Sequence, residues 1–143
     1  MTPADAGAVA RLLDELGYPP QTADVEARIR DLAADPAQLL LVAETAGGLV
    51  GWIHVQERRV LTDAPWAEIE GLVVSGGARR QGVGRALVLA AESWGHGRGT
   101  ASLRVRSRVG RVESHPFYES LGFSRAKTQH VYQKTLHRNA PPR

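Results

Sequence analysis

Residues 66–84 limit the fold of this chain more than any other stretch: Trp66-Ala67-Glu68-Ile69-Glu70-Gly71-Leu72-Val73-Val74-Ser75, then Gly76-Gly77, then Arg79-Arg80-Gln81-Gly82-Val83-Gly84. The first part carries aromatic and branched residues and ends in a continuous apolar run, which predicts a strand. From Gly82 to Gly95, Val83, Ala86, Leu87, Leu89 and Ala90 supply one apolar helical face. A strand therefore hands over to a helix through a glycine-rich turn. Gly76, Gly77 and Gly82, with Gly84 one step inside the helix, let successive backbone N–H groups approach an anion at the helix N-terminus, where unpaired donors and the helix dipole favour phosphate. Arg79, Arg80 and Arg85 add charge-assisted contacts. A Walker A loop would need Gly-Lys-Ser/Thr, but Arg85-Ala86 follows Gly84; a dinucleotide fingerprint would need glycine at 87 and an acidic residue about twenty positions on, and neither is present.

Around this junction the chain reads as one domain over residues 1–137 with a disordered tail over 138–143. Ala8, Val9, Leu12, Leu13 and Leu16 predict a helix closed by Gly17 and Pro19-Pro20, and Thr22 offers the cap of a second helix with Val25, Ile29 and Leu32. Leu39–Ala43 and Leu49–Val55, joined by Ala46-Gly47-Gly48, read as a hairpin. A loop containing Asp63-Ala64-Pro65 precedes the third strand. Beyond the junction helix, residues 100–106 read as a strand, 112–121 as a short helix, and 123–126 with 130–136 as a last strand pair.

Composition removes several function classes. No apolar run approaches the roughly 20 residues of a membrane span, and no basic-then-apolar leader is visible, so a cytoplasmic protein without membrane contact is expected. The absence of cysteine excludes disulfides, thiolate nucleophiles and cysteine-ligated metals. His54, His96, His115, His130 and His137 show no metal-ligand spacing, so no metal is expected. The net charge of +3 is mild and not gathered in one block, which argues against a nucleic-acid partner. The basic stretches Arg79–Arg85 and Arg104–Arg111 suit a phosphorylated ligand as well.

Arg79-x-x-Gly82-x-Gly84 behind Leu72-Val73-Val74 resembles the acetyl-CoA signature of the GNAT superfamily of acyl-CoA-dependent N-acetyltransferases. His115-Pro116-Phe117-Tyr118-Glu119-Ser120-Leu121-Gly122-Phe123 resembles that family's second signature at a similar distance downstream, and the order of elements matches over nearly the whole chain. The resemblance implies an α/β (α+β) fold with a central mixed, mostly antiparallel sheet, flanked by helices and splayed at the acetyl-CoA site. It implies acetyl transfer from acetyl-CoA, a co-substrate, to a primary amine by direct attack in a ternary complex. It also carries over cofactor contacts: Leu72, Val73 and Val74 to the pantetheine arm, and Arg79, Arg80, Gln81, Gly82, Val83, Gly84 and Arg85 to the pyrophosphate.

An ammonium has no lone pair, so the acceptor amine needs a base. Glu68 and Glu70 lie two apart on the third strand and share one face. Glu68 is placed like the general base of several family members; Glu70 or a glutamate-bound water is the second choice, and a solvated strand face the structural alternative. The departing thiolate leaves more readily if protonated, and Tyr118 matches the family's acid; otherwise it packs with Phe117 and Phe123. Gly76-Gly77 are expected to mark the bulge or splay that opens the strand edge.

Two departures stand against the resemblance. Arg111 replaces an asparagine that often touches the cofactor, and either reaches a CoA phosphate or belongs to a solvated turn. The strand that usually precedes the first helix is expected to be missing, since Thr2-Pro3-Ala4-Asp5 opens directly at what resembles that helix's cap. The acceptor is open among antibiotic, polyamine, amino acid and peptide amines, with Glu15, Asp24, Glu26, Glu57 and Asp63 either forming an acidic pocket or lying scattered on the surface. A homodimer is left open. A non-catalytic CoA-binding module is the competing reading, and a nucleic-acid-binding domain using the Arg-rich turn is the less favoured third.

Overall fold

The computed structural model describes residues 1–107, 109–110, 112 and 114–137, in two units divided after Arg106. In the first unit, a single 3-10 turn (Pro3–Asp5) is held by the Thr2 backbone N–H, which donates to the Asp5 carboxylate at 2.7 Å. Helix α1 (Ala6–Glu15) buries Ala6, Val9, Ala10 and Leu12 at helical spacing. It stops at Gly17, whose φ of +84° lets the Tyr18 N–H reach the Leu13 carbonyl at 3.1 Å and the Gly17 N–H reach Asp14 at 2.9 Å. Pro19-Pro20, without N–H groups, prevents continuation. Helix α2 (Thr22–Ala33) is capped by Gln21 rather than Thr22, and its buried Val25 and Ile29 join Ala6, Val9 and Ala10. Met1, Leu40, Leu49 and Trp52 pack against that cluster. No strand precedes α1 among the described residues.

Four strands form one sheet: β1 (Gln38–Thr45), β2 (Gly48–Val60), β3 (Asp63–Val74) and β4 (Leu103–Val105), in spatial order β1-β2-β3-β4. The first three are antiparallel, and β4 runs parallel to β3. A parallel neighbour requires a crossover, supplied by helix α3 (Val83–Gly97). Along β2, Gly51, Ile53, Val55 and Glu57 are buried in alternation with half-buried neighbours. Helix α3 lies close over Gly51: a β-carbon there would stand 3.0 Å from the Val73 carbonyl oxygen and 3.1 Å from Val83 Cγ1.

The β2–β3 hairpin is longer than its sequence suggests. Gln56–Arg59 and Asp63-Ala64-Pro65 read as loop because they are polar or strand-breaking, yet β2 runs to Val60 and β3 starts at Asp63. The charges are accommodated by partners that only the fold brings to them. Glu57 is buried and receives Arg98 Nη2 at 2.6 Å, Arg98 Nε at 2.7 Å and Arg59 Nη2 at 2.9 Å.

In the second unit, α4 (Ser114–Ser120) is followed by Gly122 at φ +89°, and the Leu121 and Phe123 N–H groups both donate to the Tyr118 carbonyl. The strands expected over 123–126 and 130–136 are absent; the described residues 123–137 form neither helix nor strand. Alternation is a local property, whereas a strand needs a partner, and Val131, Tyr132 and Leu136 are exposed rather than packed on one. Residues 138–143 lie outside the described residues, as does Arg111.

Candidate active site

β4 pairs with β3 through Ala67↔Leu103, Glu68↔Arg104 and Ile69↔Val105, and then stops. From Glu70 to Val74, β3 keeps β2 on one side, while no described residue pairs with its other edge. On the β2 side Gly71 faces His54 and Ile69 faces Val55, which makes Glu70 an extra, bulged residue. The bulge expected at Gly76-Gly77 is therefore at Glu70. Gly76–Ala78 instead form a single 3-10 turn. A bulge bends and twists its strand, so the strand leaves its parallel neighbour here, and the backbone groups of Leu72, Val73 and Val74 lie along the opened edge.

That edge leads to the N-terminus of α3. Arg79 is extended, Arg80 has φ +63°, and Gly82 caps the helix at φ +80°. Of the three glycines assigned freedom in this turn, only Gly82 uses the left-handed region; Arg80 is strained in a way its sequence does not signal. The Gln81 side-chain amide donates to the Gly77 carbonyl at 3.3 Å and braces the loop. The first helical bond runs from the Ala86 N–H to the Gly82 carbonyl at 2.9 Å. The amides of Val83, Gly84 and Arg85 have no side-chain cap, and Arg79, Arg80 and Arg85 are exposed around them. An extended arm bearing amides fits the open edge, and a pyrophosphate fits the donors at its end.

Where β3 and β4 separate, Glu68, Glu70, Arg58 and Arg106 meet. Glu68 is 3% exposed; its Oε1 lies 3.2 Å from Arg106 Nε and its Oε2 3.2 Å from Arg58 Nη1. The Arg58 contact is one of charge without hydrogen-bond alignment, so the buried Oε2 keeps an open lone pair. Arg58 also reaches Glu70 at 3.5 Å. Both glutamates thus share Arg58 despite the bulge between them, and Glu70, 31% exposed, is the accessible one. Sequence reasoning passes over Arg58, which reads there as loop, and treats Arg106 only as one of a basic stretch. Nearby, Arg104 stacks 4.1 Å above the buried Trp66 ring and pairs with Asp63 at 2.7 Å, and Arg58 lies 5.9 Å from the same ring.

Tyr118, in the second unit, makes edge contacts with Phe117 and Phe123, with ring centroids 5.1 and 5.6 Å apart. His54 Nε2 meets Gln38 Oε1 at 2.7 Å, and burial lowers its pKa below the ordinary imidazole value. The acidic residues weighed as one pocket are divided: Glu26 pairs with Arg30, Glu57 with Arg98 and Arg59, Asp63 with Arg104, and Glu15 faces the Gly76 N–H at 3.5 Å. No metal-holding group of His, Asp and Glu occurs among the described residues, and no helix among them is long and apolar enough to cross a membrane.

Comparison with known proteins gives the same outline. An aminoglycoside N(6')-acetyltransferase type 1 of Stenotrophomonas maltophilia is 31% identical over 144 residues, covering 97% of this chain and 93% of that protein. A mycothiol acetyltransferase of Thermobispora bispora is 33% identical over 113 residues, covering 78% of this chain and 38% of that one. The structure of AAC(6')-Iy in complex with the bisubstrate analogue CoA-S-monomethyl-acetylneamine superposes with a TM-score of 0.83 at 18% identity, over 95% of each chain. Residues 8–123 match the acetyltransferase (GNAT) family, so the chain belongs to that family and is an acetyl-CoA-dependent N-acetyltransferase.

Proposed function

We propose that this protein acetylates the primary amine of a small molecule by direct attack on acetyl-CoA in a ternary complex, in the cytoplasm where that donor is held. One observation carries the reading: the β3 edge left unpaired among the described residues begins at an accessible carboxylate, Glu70, and ends at α3 amides without a side-chain cap among them. Leu72, Val73 and Val74 would pair with the pantetheine arm as an added strand does, and a backbone N–H there would polarise the thioester carbonyl. Gly82 to Arg85, with Arg79, Arg80 and Gln81 around them, would hold the pyrophosphate.

Glu70 is our choice for accepting the ammonium proton, directly or through water. Glu68, the first choice from sequence, is buried between two guanidiniums and is better suited to fixing Arg58, which in turn sets Glu70. Tyr118 is kept as the acid that protonates the leaving thiolate. A non-catalytic CoA-binding module draws on the same facts read structurally: Tyr118 among aromatic rings and Glu68 in ion pairs.

Thiol release from acetyl-CoA, measured across a panel of amines, separates the two. Amine-dependent release, reduced about 100-fold in kcat by Glu70→Gln and moved in its pH profile, is the expected result. Acetyl-CoA binding with no release in the presence of any amine would leave the binding module.

A further inference from the structure

We propose that the acceptor amine also carries a carboxylate or equivalent anionic group, and that Arg106 reads it. This rests on the transferase reading above and names the acceptor class of the same site.

Charge balance is the first observation. Around the separation of β3 and β4, each carboxylate already has a guanidinium: Asp63 has Arg104, Glu70 has Arg58, and Glu68 has Arg58 and Arg106. These three acids and three arginines leave no surplus of negative charge. Beyond the one ammonium that Glu70 receives, further positive charges of a polycationic acceptor would meet carboxylates already neutralised by arginines.

The second observation is the state of Arg106. Its Nε lies 3.2 Å from Oε1 of the buried Glu68 as an ion pair, yet its side chain is 64% exposed, and Glu68 is its one ion-pair partner among the described residues. An ion pair with a carboxylate anchored in the sheet thus restrains a guanidinium that is otherwise exposed. A guanidinium fork matches a carboxylate in two parallel hydrogen bonds, and restraint before binding reduces the entropy lost on binding.

Register supplies the third. Ile69 is level with Val105, so the next residue on each strand is Glu70 and Arg106. The proton-accepting carboxylate and the guanidinium thus both follow the last pair of the ladder, at the start of the splay. One short amino-carboxylate would put its amine at Glu70 and its anion at Arg106.

The test compares matched acceptors on wild-type protein: β-alanine against β-alaninamide and glycine against glycinamide, with kanamycin as the polycation and rates expressed per free amine. The acid of each pair is expected to have a kcat/KM about tenfold or more above its amide. Arg106→Gln is expected to bring that ratio near one, chiefly through the acceptor KM, while Arg106→Lys, which keeps charge but not the fork, gives an intermediate ratio. Equal use of acid and amide, a preference for kanamycin, or a ratio unchanged in Arg106→Gln would overturn the inference and leave the transferase reading intact. A change confined to the acetyl-CoA KM would assign Arg106 to the donor and overturn it too. Acetyl-CoA binding without transfer to any amine would overturn both.

Discussion

Gly71 stands between the bulged Glu70 and the open segment Leu72–Val74, and replacing it by alanine tests both packing and site. A β-carbon at Gly71 would lie 2.8 Å from both Cη2 and Cζ3 of Trp52. Carbon atoms in contact prefer about 3.5–4.0 Å, so ring and strand must part by roughly 0.7 Å or more. The obstacle is a rigid indole that packs against the α1–α2 cluster, not the loose end of a flexible chain. Overpacking of this kind costs about 1–3 kcal/mol, and alanine recovers about 0.4–1 kcal/mol by restricting the unfolded chain. Gly71→Ala should therefore destabilise by about 1–2 kcal/mol, which for a chain of this size lowers Tm by roughly 3–8 °C. Calorimetric melts without ligand read this directly. Because the displaced strand carries Leu72–Val74, the KM for acetyl-CoA should rise as well. Trp52→Leu reopens the space, so the double variant should lose less stability than the two single changes summed. An unchanged or raised Tm in Gly71→Ala, or full additivity in the double variant, would refute the reasoning.

Gly7, within α1, has nothing within 4 Å of its would-be β-carbon, so Gly7→Ala should raise stability by about 0.5–1 kcal/mol, the opposite sign, in the same melts. Gly82→Ala forces a β-carbon onto φ +80° and should cost about 1–2 kcal/mol while raising the KM for acetyl-CoA, read by melts and initial rates. Hydrogen bonds from Arg98 hold the Glu57 carboxyl below its ordinary pKa, against the opposing effect of burial and with help from Arg59. A lowered folded-state pKa means stability that is present above the unfolded value of about 4.3 and lost as pH falls through the folded value. Denaturant melts should show wild type losing stability below about pH 4, with a shallower loss in Glu57→Gln.

The strand-to-helix junction is legible in the sequence because its causes are local: a branched run, a glycine able to adopt positive φ, and an amphipathic helix. Gly82 follows from those alone, but the apolar face of α3 only in part: Leu87 is buried, whereas Leu89 is 46% exposed and the face is completed by Val88 and Ala91, outside the expected set. The long β2–β3 hairpin is not legible, since Gln56–Arg59 resembles a loop until Glu57 meets Arg98 from the end of α3 and Arg58 meets Glu68 across the ladder. Nothing near Glu70 announces the bulge, which is a mismatch of register between two strands, and nothing near Gly71 shows why glycine is needed until Trp52 folds over it. The same limit explains the strands expected over 123–136: the apolar alternation is present, and its pairing partner is not among the described residues. Glu68 and Glu70 were both legible as site candidates, but the difference in access between them comes from burial, which spacing does not encode.

The short reach of β4 has a consequence for the protein without its donor. A strand edge at Leu72-Val73-Val74 that is unpaired among the described residues is a template on which another chain can zip, the usual start of edge-to-edge association. Acetyl-CoA lying along that edge would act as a removable edge guard as well as a reactant. Donor at about 100 times its Kd adds roughly 2.7 kcal/mol to the folded state by mass action and covers the adhesive groups in the same step. Tolerance of storage and heating should therefore follow the supply of donor, so that a preparation stripped of acetyl-CoA clouds sooner than one kept saturated.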